Sequence, residues 1–308
     1  MTEEERAASG NGERTADAAT EAFVIHRNLL FTVAYEMLGS AADAEDVLQE
    51  CWLRWVRVDR SQVRDDRAYL VRITSRQSLN RLRTMRRRKE DYVGAWLPEP
   101  LLTTPDVAED GEFAESMSMA LMLVLETLSP TERAVFVLHE AFGMGYDDIA
   151  AAVDKRPDTV RQIAHRARRH VNARRPRASA SPSQTQAALA AFQQALATGE
   201  LQELLEVLAP EVVLVSDGGG IRQAAKRPVV GATQVARFIL SQAARSQGLL
   251  TGEPTSVNGS PGLILRLDGE IDGVMVIRVE HLRITGLYYV RNPEKLSRLD
   301  SETPLSRQ

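Results

Sequence analysis

The sequence predicts a multidomain chain, with two small all-α domains followed by a C-terminal α+β domain. Three observations carry that expectation. At 308 residues the chain exceeds the usual size of one domain. Apolar residues recur at three- and four-residue steps through the first half, whereas after residue 187 they gather into short runs bounded by Gly and Asp. Two stretches, 91–116 and 174–186, interrupt the pattern with proline, serine or dense acid.

The elements follow in chain order. Residues 1–20 are rich in Ala, Glu, Gly and Thr without period and read as a disordered tail. Phe23, Leu30, Val33, Ala34, Met37 and Leu38 share a helical face; Gly39 stops that helix and Ser40 opens the next. In SAADAEDVLQECWLRWVRV the acids Asp43, Glu45 and Asp46 load the first turns, where carboxylates favour the helix dipole. Val47, Leu48, Cys51, Trp52 and Trp55 form its apolar stripe. A third helix, about 66–89, turns Tyr69, Leu70, Ile73, Leu79 and Leu82 inward and its arginines outward. Ser129-Pro130-Thr131-Glu132 has the form of a helix start. Beyond residue 187, two short helices (about 186–197 and 200–207) precede the strand VVLVSDGGG and a helix at about 231–245. Strands near 262–268, 272–280 and 282–290 follow, with Asp268-Gly269 and Asp272-Gly273 as turns. Helices followed by adjacent antiparallel strands make this part α+β.

Composition removes several function classes. Hydrophobic residues at 44% and charged residues at 26% exclude a fully disordered chain. The single cysteine, Cys51, excludes an intramolecular disulfide framework and a thiolate zinc set, so no metal site is expected. No apolar run approaches the roughly 18 residues of a membrane span, and the first 23 residues lack the basic start and apolar core of a signal peptide. A cytoplasmic protein without a membrane partner is expected.

The net charge of −4 conceals a pattern. Residues 72–89 hold eight basic side chains and no acid, 90–132 hold ten acids and no base, and 155–177 hold nine basic side chains against Asp158 alone. A charge run is usually a solvated helix face, but two cationic blocks around an anionic connector fit a polyanion touched at two places. The sharpest local motif lies in the second block. In YDDIAAAVDKRPDTVRQIAHRARRHV (146–171), Ile149, Ala150 and Val153 face one way on a short helix, with Ala150 small enough for close approach. Asp154 occupies the turn position that tolerates positive φ. Pro157 starts a second helix with Val160, Ile163 and Ala167 buried and Arg161, Gln162, His165, Arg166, Arg168 and Arg169 outward. Arginine and glutamine donate to base edges and phosphates, as a recognition helix requires; Arg156 at the N-cap departs from the Ser or Thr preferred there.

These pieces together resemble a bacterial RNA polymerase sigma factor of the extracytoplasmic-function (ECF) type. DAEDVLQECWLRW (43–55) resembles the region 2 helix that grips the β′ clamp helices of core polymerase, which implies contact through Asp43, Glu45, Asp46, Gln49, Glu50, Trp52 and Leu53. RAYLVRITSRQSLNRLRTMRRR (67–88) resembles the segment that melts and reads the −10 element, implying roles for Arg72, Arg76, Asn80, Arg83, Arg86 and Arg87. LSPTERAVFVLHEAFGMGYDDIA…TVRQIAHRARR resembles region 4, implying −35 contacts from Arg161, Gln162, His165, Arg166 and Arg169, and a seat on the β flap. Asn80 stands where aspartate is usual. The physics agrees, because melted bases need a positively charged groove with apolar or aromatic walls, and Tyr69 is a candidate wall as well as a core residue.

The remainder is similar to the ECF subgroup with a fused SnoaL-like, NTF2-like domain. Its signature pieces are YVGAWLPEP (92–100), DGGG (217–220) and NPEKL (292–296), with Glu294 where Asp is common. The resemblance implies regulatory roles for Trp96, Leu97, Pro98, Glu99, Asp217, Gly218, Gly219, Gly220, Asn292, Pro293 and Leu296, through an intramolecular contact that would replace a separate anti-sigma protein. Some NTF2-like relatives are cyclases or isomerases, for which Asp217, Asp272 and His281 are the candidate acid/base groups; Asp217 before three glycines reads rather as a turn former, and His281, read in a strand, rather as a satisfied or exposed histidine. No catalytic activity and no cofactor are expected, and a small unidentified ligand in the cone is left open. The expected layout is a tail (1–20), region 2 (21–90), an acidic linker (91–116), region 4 (117–175), a hinge (176–186), the SnoaL-like domain (187–296) and a second tail (297–308). The alternative reading, a ligand-sensing DNA-binding repressor or activator using 146–171, leaves helices 43–55 and 72–89 without a purpose.

Overall fold

The computed structural model describes residues 3–104, 107, 110–174, 180–246 and 249–307, the side chains of 3–17 and 182 excepted. Residues 175–179, including the first part of the expected hinge, and 105, 106, 108 and 109 of the expected linker lie outside the described residues. The chain divides into two compact units. Unit 1 comprises Met1–Met85, Leu128–His170 and Leu305–Gln308, and unit 2 comprises Arg86–Thr127 and Val171–Pro304.

Unit 1 is all-helical. Helix α1 spans Glu3–Leu38, running through most of the segment whose composition reads as a tail. Gly39 ends it at φ 68, and Ser40 caps α2 (Ala41–Trp55) by accepting from the Asp43 amide. The α2 stripe is buried as expected at Val47, Leu48, Cys51 and Trp55; the Trp55 indole donates 2.8 Å to the Ala19 carbonyl, and Trp52 packs edge-on against Phe23. Helix α3 spans Asp66–Glu90 and buries Leu70, Leu79 and Leu82, while Tyr69 and Ile73 are half-buried. Burial raises the Cys51 thiol to about 11, against a bond from Thr74 that lowers it. Cys51 is therefore expected to resist a thiol reagent at pH 8 in the native protein and to react at once in denaturant, which a timed dithionitrobenzoate assay checks.

Unit 2 is α+β. Short helices α4 (Gly111–Met117) and α5 (Met119–Glu126) precede it in sequence and belong to it. After α9 (Pro182–Thr198) and α10 (Leu201–Val207) come β1 (Leu208–Asp217), β2 (Val229–Val230), α11 (Ala232–Arg245), β3 (Leu250–Val257), β4 (Ser260–Leu267), β5 (Glu270–Glu280) and β6 (Arg283–Val290). The sheet order is β2-β1-β6-β5-β4-β3, antiparallel except for the parallel β1–β6 pair. Period-two alternation gives the sheet two buried faces. Leu263, Leu265, Met275, Ile277 and Tyr289 face the helices α9 and α11, whereas Ile264, Val274, Val276, Tyr288 and Val290 face Leu97, Leu102 and Met119. This is the arrangement the NTF2-like resemblance implies.

Two local expectations are corrected, and one strand that the sequence does not mark is added. Asp272-Gly273 is not a turn: it lies inside β5, where Gly273 approaches β6 so closely that a Cβ would sit 2.4 Å from the Val290 carbonyl oxygen. His281 is not in a strand but forms the β5–β6 turn with Leu282, both at positive φ and exposed. Strand β3 carries no signal in the sequence because it is a largely exposed edge, where Pro254 is tolerated.

Candidate nucleic-acid interface and linker clamp

In unit 1 the helix-turn-helix forms as its residues require. Helix α7 (Tyr146–Val153) ends on Asp154 in the left-handed region, φ 56 and ψ 57, and α8 runs Pro157–Asn172. Ile149, Ala150 and Val153 are buried on the first helix, and Val160, Ile163, Ala164 and Ala167 on the second. Arg161, Gln162, His165, Arg166 and Arg169 are all exposed on the other face. Arg161 bonds Asp158 at 2.7 Å and lies over the Tyr146 ring, while Arg166 and Arg168 reach back to Glu132 and Glu140. Glu132 also completes the capping box with Ser129 at the start of α6 (Pro130–Phe136).

On α3, the basic stripe is exposed as well. Arg72, Arg76, Asn80 and Arg83 follow at steps of four, four and three residues and point to solvent; Arg86 and Arg87, counted in unit 2, are exposed too. Arg81 is the exception. It turns inward to α2, 2.6 Å from Asp43 and bonded to Asp46, and the two carboxylates outweigh the effect of burial to raise its pKa further. Glu45 is likewise held in a two-pronged bond by Arg27 at 2.8 and 2.9 Å. The acids at the start of α2 thus join helices within the unit; of the expected polymerase contacts, Asp46, Gln49, Glu50 and Leu53 are exposed and Trp52 is half-buried. Arg133 is a charged residue that no periodicity singles out: it is 2% exposed and bonds the Glu36 carbonyl. Residues 305–307, expected as tail, also belong here, with the Ser306 amide on the Thr32 hydroxyl and Arg307 near Glu36.

In unit 2 the expected linker is a built part of the fold. The Asp217 carboxylate, fully buried at the end of β1, accepts from the Tyr92 hydroxyl (2.6 Å), the Leu97 amide (2.9 Å), the Gly219 amide (3.0 Å) and Lys295 (2.7 Å). Lys295 also donates to the Leu97 carbonyl at 2.5 Å, and Asn292 donates to the Tyr92 oxygen at 2.8 Å. Burial and the bond to Asp217 push the Tyr92 phenol far up, and burial lowers Lys295 against the pull of Asp217. The Trp96 ring meets two ammonium groups, with Lys89 at 3.4 Å and Lys295 at 4.2 Å from its centre. Cation–π attraction of this kind strengthens with desolvation. Downstream, Leu101 exchanges backbone and side-chain bonds with Asn258, and Leu102 bridges Val257 at the sheet edge. Pro98, Glu99 and Pro100 are buried.

The glycines are explained by these contacts. A Cβ on Gly218 would meet the Arg222 carbonyl at 2.1 Å, and one on Gly219, already at φ 61, would meet Asn292 at 2.4 Å. Trp96, Leu97, Asp217, Gly219 and Asn292 therefore gather at one point, whereas Pro293 and Glu294 are exposed beside it. Lys295, Tyr92, Lys89 and Asn258 were missed as site residues by the sequence reading; Tyr92 and Lys295 stand inside the quoted motifs, but nothing in one sequence pairs positions 78 to 125 residues apart.

A model described as Sigma-70 region 2 matches residues 11–88, and one described as Sigma-70, region 4 matches 118–171. The chain is 34% identical over 289 residues to a probable ECF RNA polymerase sigma factor, SigI, of Mycobacterium tuberculosis, covering 93% of this chain and 97% of that relative. The chain is an ECF RNA polymerase sigma factor. This sigma factor is also 34% identical to SigJ of the same organism, covering 88% of the present chain and 91% of SigJ. It superposes on the crystal structure of the M. tuberculosis ECF sigma factor SigJ with a TM-score of 0.74 at 32% identity, over 93% of this chain and 100% of that one. As a member of the family the sigma factor binds core RNA polymerase and promoter DNA, and the sigma reading displaces the repressor alternative. Region 4 as matched begins at Ser118, so its first helix, α5, packs within unit 2. No helix among the described residues is long and apolar enough to cross a membrane.

Proposed function

We propose that this sigma factor recognises −10 and −35 promoter elements through α3 and α8, docks α2 on the β′ clamp helices and region 4 on the β flap, and is regulated by its own C-terminal domain. The observation that carries the regulatory part is the clamp on residues 92–103. That segment connects the two DNA-reading regions in sequence, and Asp217, Asn258, Asn292 and Lys295 hold it. Release or retention of the segment changes the reach available between regions 2 and 4. The C-terminal domain then does the work of a separate anti-sigma protein, acts without turnover, and operates in the cytoplasm on core polymerase.

The −35 contacts rest on the exposed Arg161, Gln162, His165, Arg166 and Arg169, and the −10 contacts on Arg72, Arg76, Asn80, Arg83, Arg86 and Arg87. Arg161→Ala with Gln162→Ala is expected to lower transcription from a −35-dependent promoter roughly ten- to a hundredfold, since a good base-edge pair contributes ~1–3 kcal/mol. The same variant should show a shallower dependence of DNA binding on salt.

The regulatory reading is tested with the full chain, because cutting near residue 180 would strip residues 86–127 of the sheet they pack on. Wild type and Asn292→Ala are mixed with core RNA polymerase, and promoter-dependent transcription is measured. A severalfold change in output at unchanged core affinity supports regulation through the clamp. Equal output from both proteins removes the clamp from the mechanism.

A further inference from the structure

The sheet face opposite the clamp borders a cavity of about 580 Å³, within the size range of small-molecule sites. Its wall is mostly apolar, with Leu196, Leu214, Phe238, Leu263, Leu265 and Met275 among the lining residues. Polar groups converge at Asp272, Tyr289 and Arg291. Asp272 is buried and accepts from the Tyr289 hydroxyl and, at 2.6 Å, from Arg291. Burial raises the Asp272 carboxyl, but the bonds from Arg291 and Tyr289 and the charges of Arg291 and Arg222 outweigh it and hold it below the usual carboxylate range. Burial and the bond to Asp272 push the Tyr289 phenol far up. Carboxylate and phenol are thus locked in their neutral-pH forms, which suits holding a molecule rather than moving protons.

Arg291 is not fully used by the protein. It bonds Asp272 and the Gln223 carbonyl, while its Nε–H is buried with no acceptor among the described residues. A second cation, Arg245, lines the same cavity, whereas Asp272 is the one acid among its described lining residues and already faces Arg291. We propose that the cavity binds an apolar monocarboxylate whose carboxyl group is anchored by Arg291 and whose body lies along the Leu/Met/Phe wall. Arg291 also ties this site to the clamp. Its amide donates 2.7 Å to the Asp217 carbonyl, and the next residue, Asn292, holds Tyr92. Occupancy is read in the linker because anchor and clamp are consecutive residues.

Binding is measured on the full-length chain without polymerase, so its outcome is independent of the regulatory reading. Octanoate, decanoate and 4-phenylbutyrate are titrated by calorimetry and thermal melting, with 1-decanol as the uncharged match of decanoate. At least one acid is expected to bind below millimolar concentration, raise Tm with concentration, and bind at least tenfold tighter than the alcohol. Arg291→Gln should remove that tenfold preference. Gln242→Trp, which puts bulk into the cavity wall without touching the polar network, should abolish binding and leave the unliganded Tm in place; it keeps the test decisive if Arg291→Gln melts early. The bound acid should also change Trp96 emission, a change absent in Trp96→Phe. Failure of all three acids to bind, or binding unaltered by Gln242→Trp, overturns the proposal.

Discussion

Asp217→Ala is expected to destabilise unit 2 by about 3–5 kcal/mol, the usual cost of leaving one partner of a buried ion pair alone. Asp217 is 0% exposed and the Lys295 side chain 11%, and the carboxylate accepts four bonds that have no substitute in an alanine. Loss of the side chain strands the Lys295 ammonium, the Tyr92 hydroxyl and the Leu97 amide together. Denaturant unfolding followed by circular dichroism gives the stability. Asp217→Asn keeps an acceptor but not the charge, so its loss should be smaller. An alanine variant within about 1 kcal/mol of wild type, well under the cost of stranding a buried charge, would show that Lys295 finds water and that the clamp is weak. Because residues 92–97 are then released, the same variant is also expected to alter transcription more than Asn292→Ala does.

The second large effect is expected at the polymerase. The geometry separates the acids of α2 into two groups. Asp43 and Glu45 are held by Arg81 and Arg27, so their replacement costs fold stability, whereas Glu50 and Leu53 point outward and Leu53 is 51% exposed. Leu53 lies one helical turn from Glu50, so the two side chains share one exposed face of α2. Glu50→Lys with Leu53→Asp should weaken core binding by about 30-fold or more, corresponding to a hot-spot loss of ~2 kcal/mol, while Tm stays unchanged. A fluorescence-anisotropy titration of core polymerase measures it. Unchanged affinity would move the contact off this part of α2. Asp46 is a mixed case, since it is exposed yet bonded to Arg81, and reversing its charge alone would confound the two effects.

Much of this was legible before any coordinates. The helix periodicities placed α2, α3, α7 and α8 within a few residues, and the turn at Asp154 was read from the tolerance of aspartate for positive φ. Such features are local: a period or a turn residue acts over four to ten positions, and each lies whole in the sequence. The misses are the features that depend on distant partners. Asp272-Gly273 has the composition of a turn, yet β6 alongside keeps it extended inside β5. Residues 91–116 have the acid and proline content of a linker, and Trp96 and Leu97 suggest that it docks, but nothing in the sequence names the sheet face on which Leu97 and Leu102 are buried.

The sequence by itself determined the helical units, the basic faces of α3 and α8 and the family to which the chain belongs, because charge and apolar period are properties of neighbouring residues. The tertiary structure alone decided which of those charges are outward and which are bound, as the contrast between Arg83 and Arg81 shows. It also decided that Asp217, the start of a glycine turn by sequence, is the buried anchor of a segment 120 residues away. A carboxylate cannot stay buried without donors, and those donors were brought by the fold.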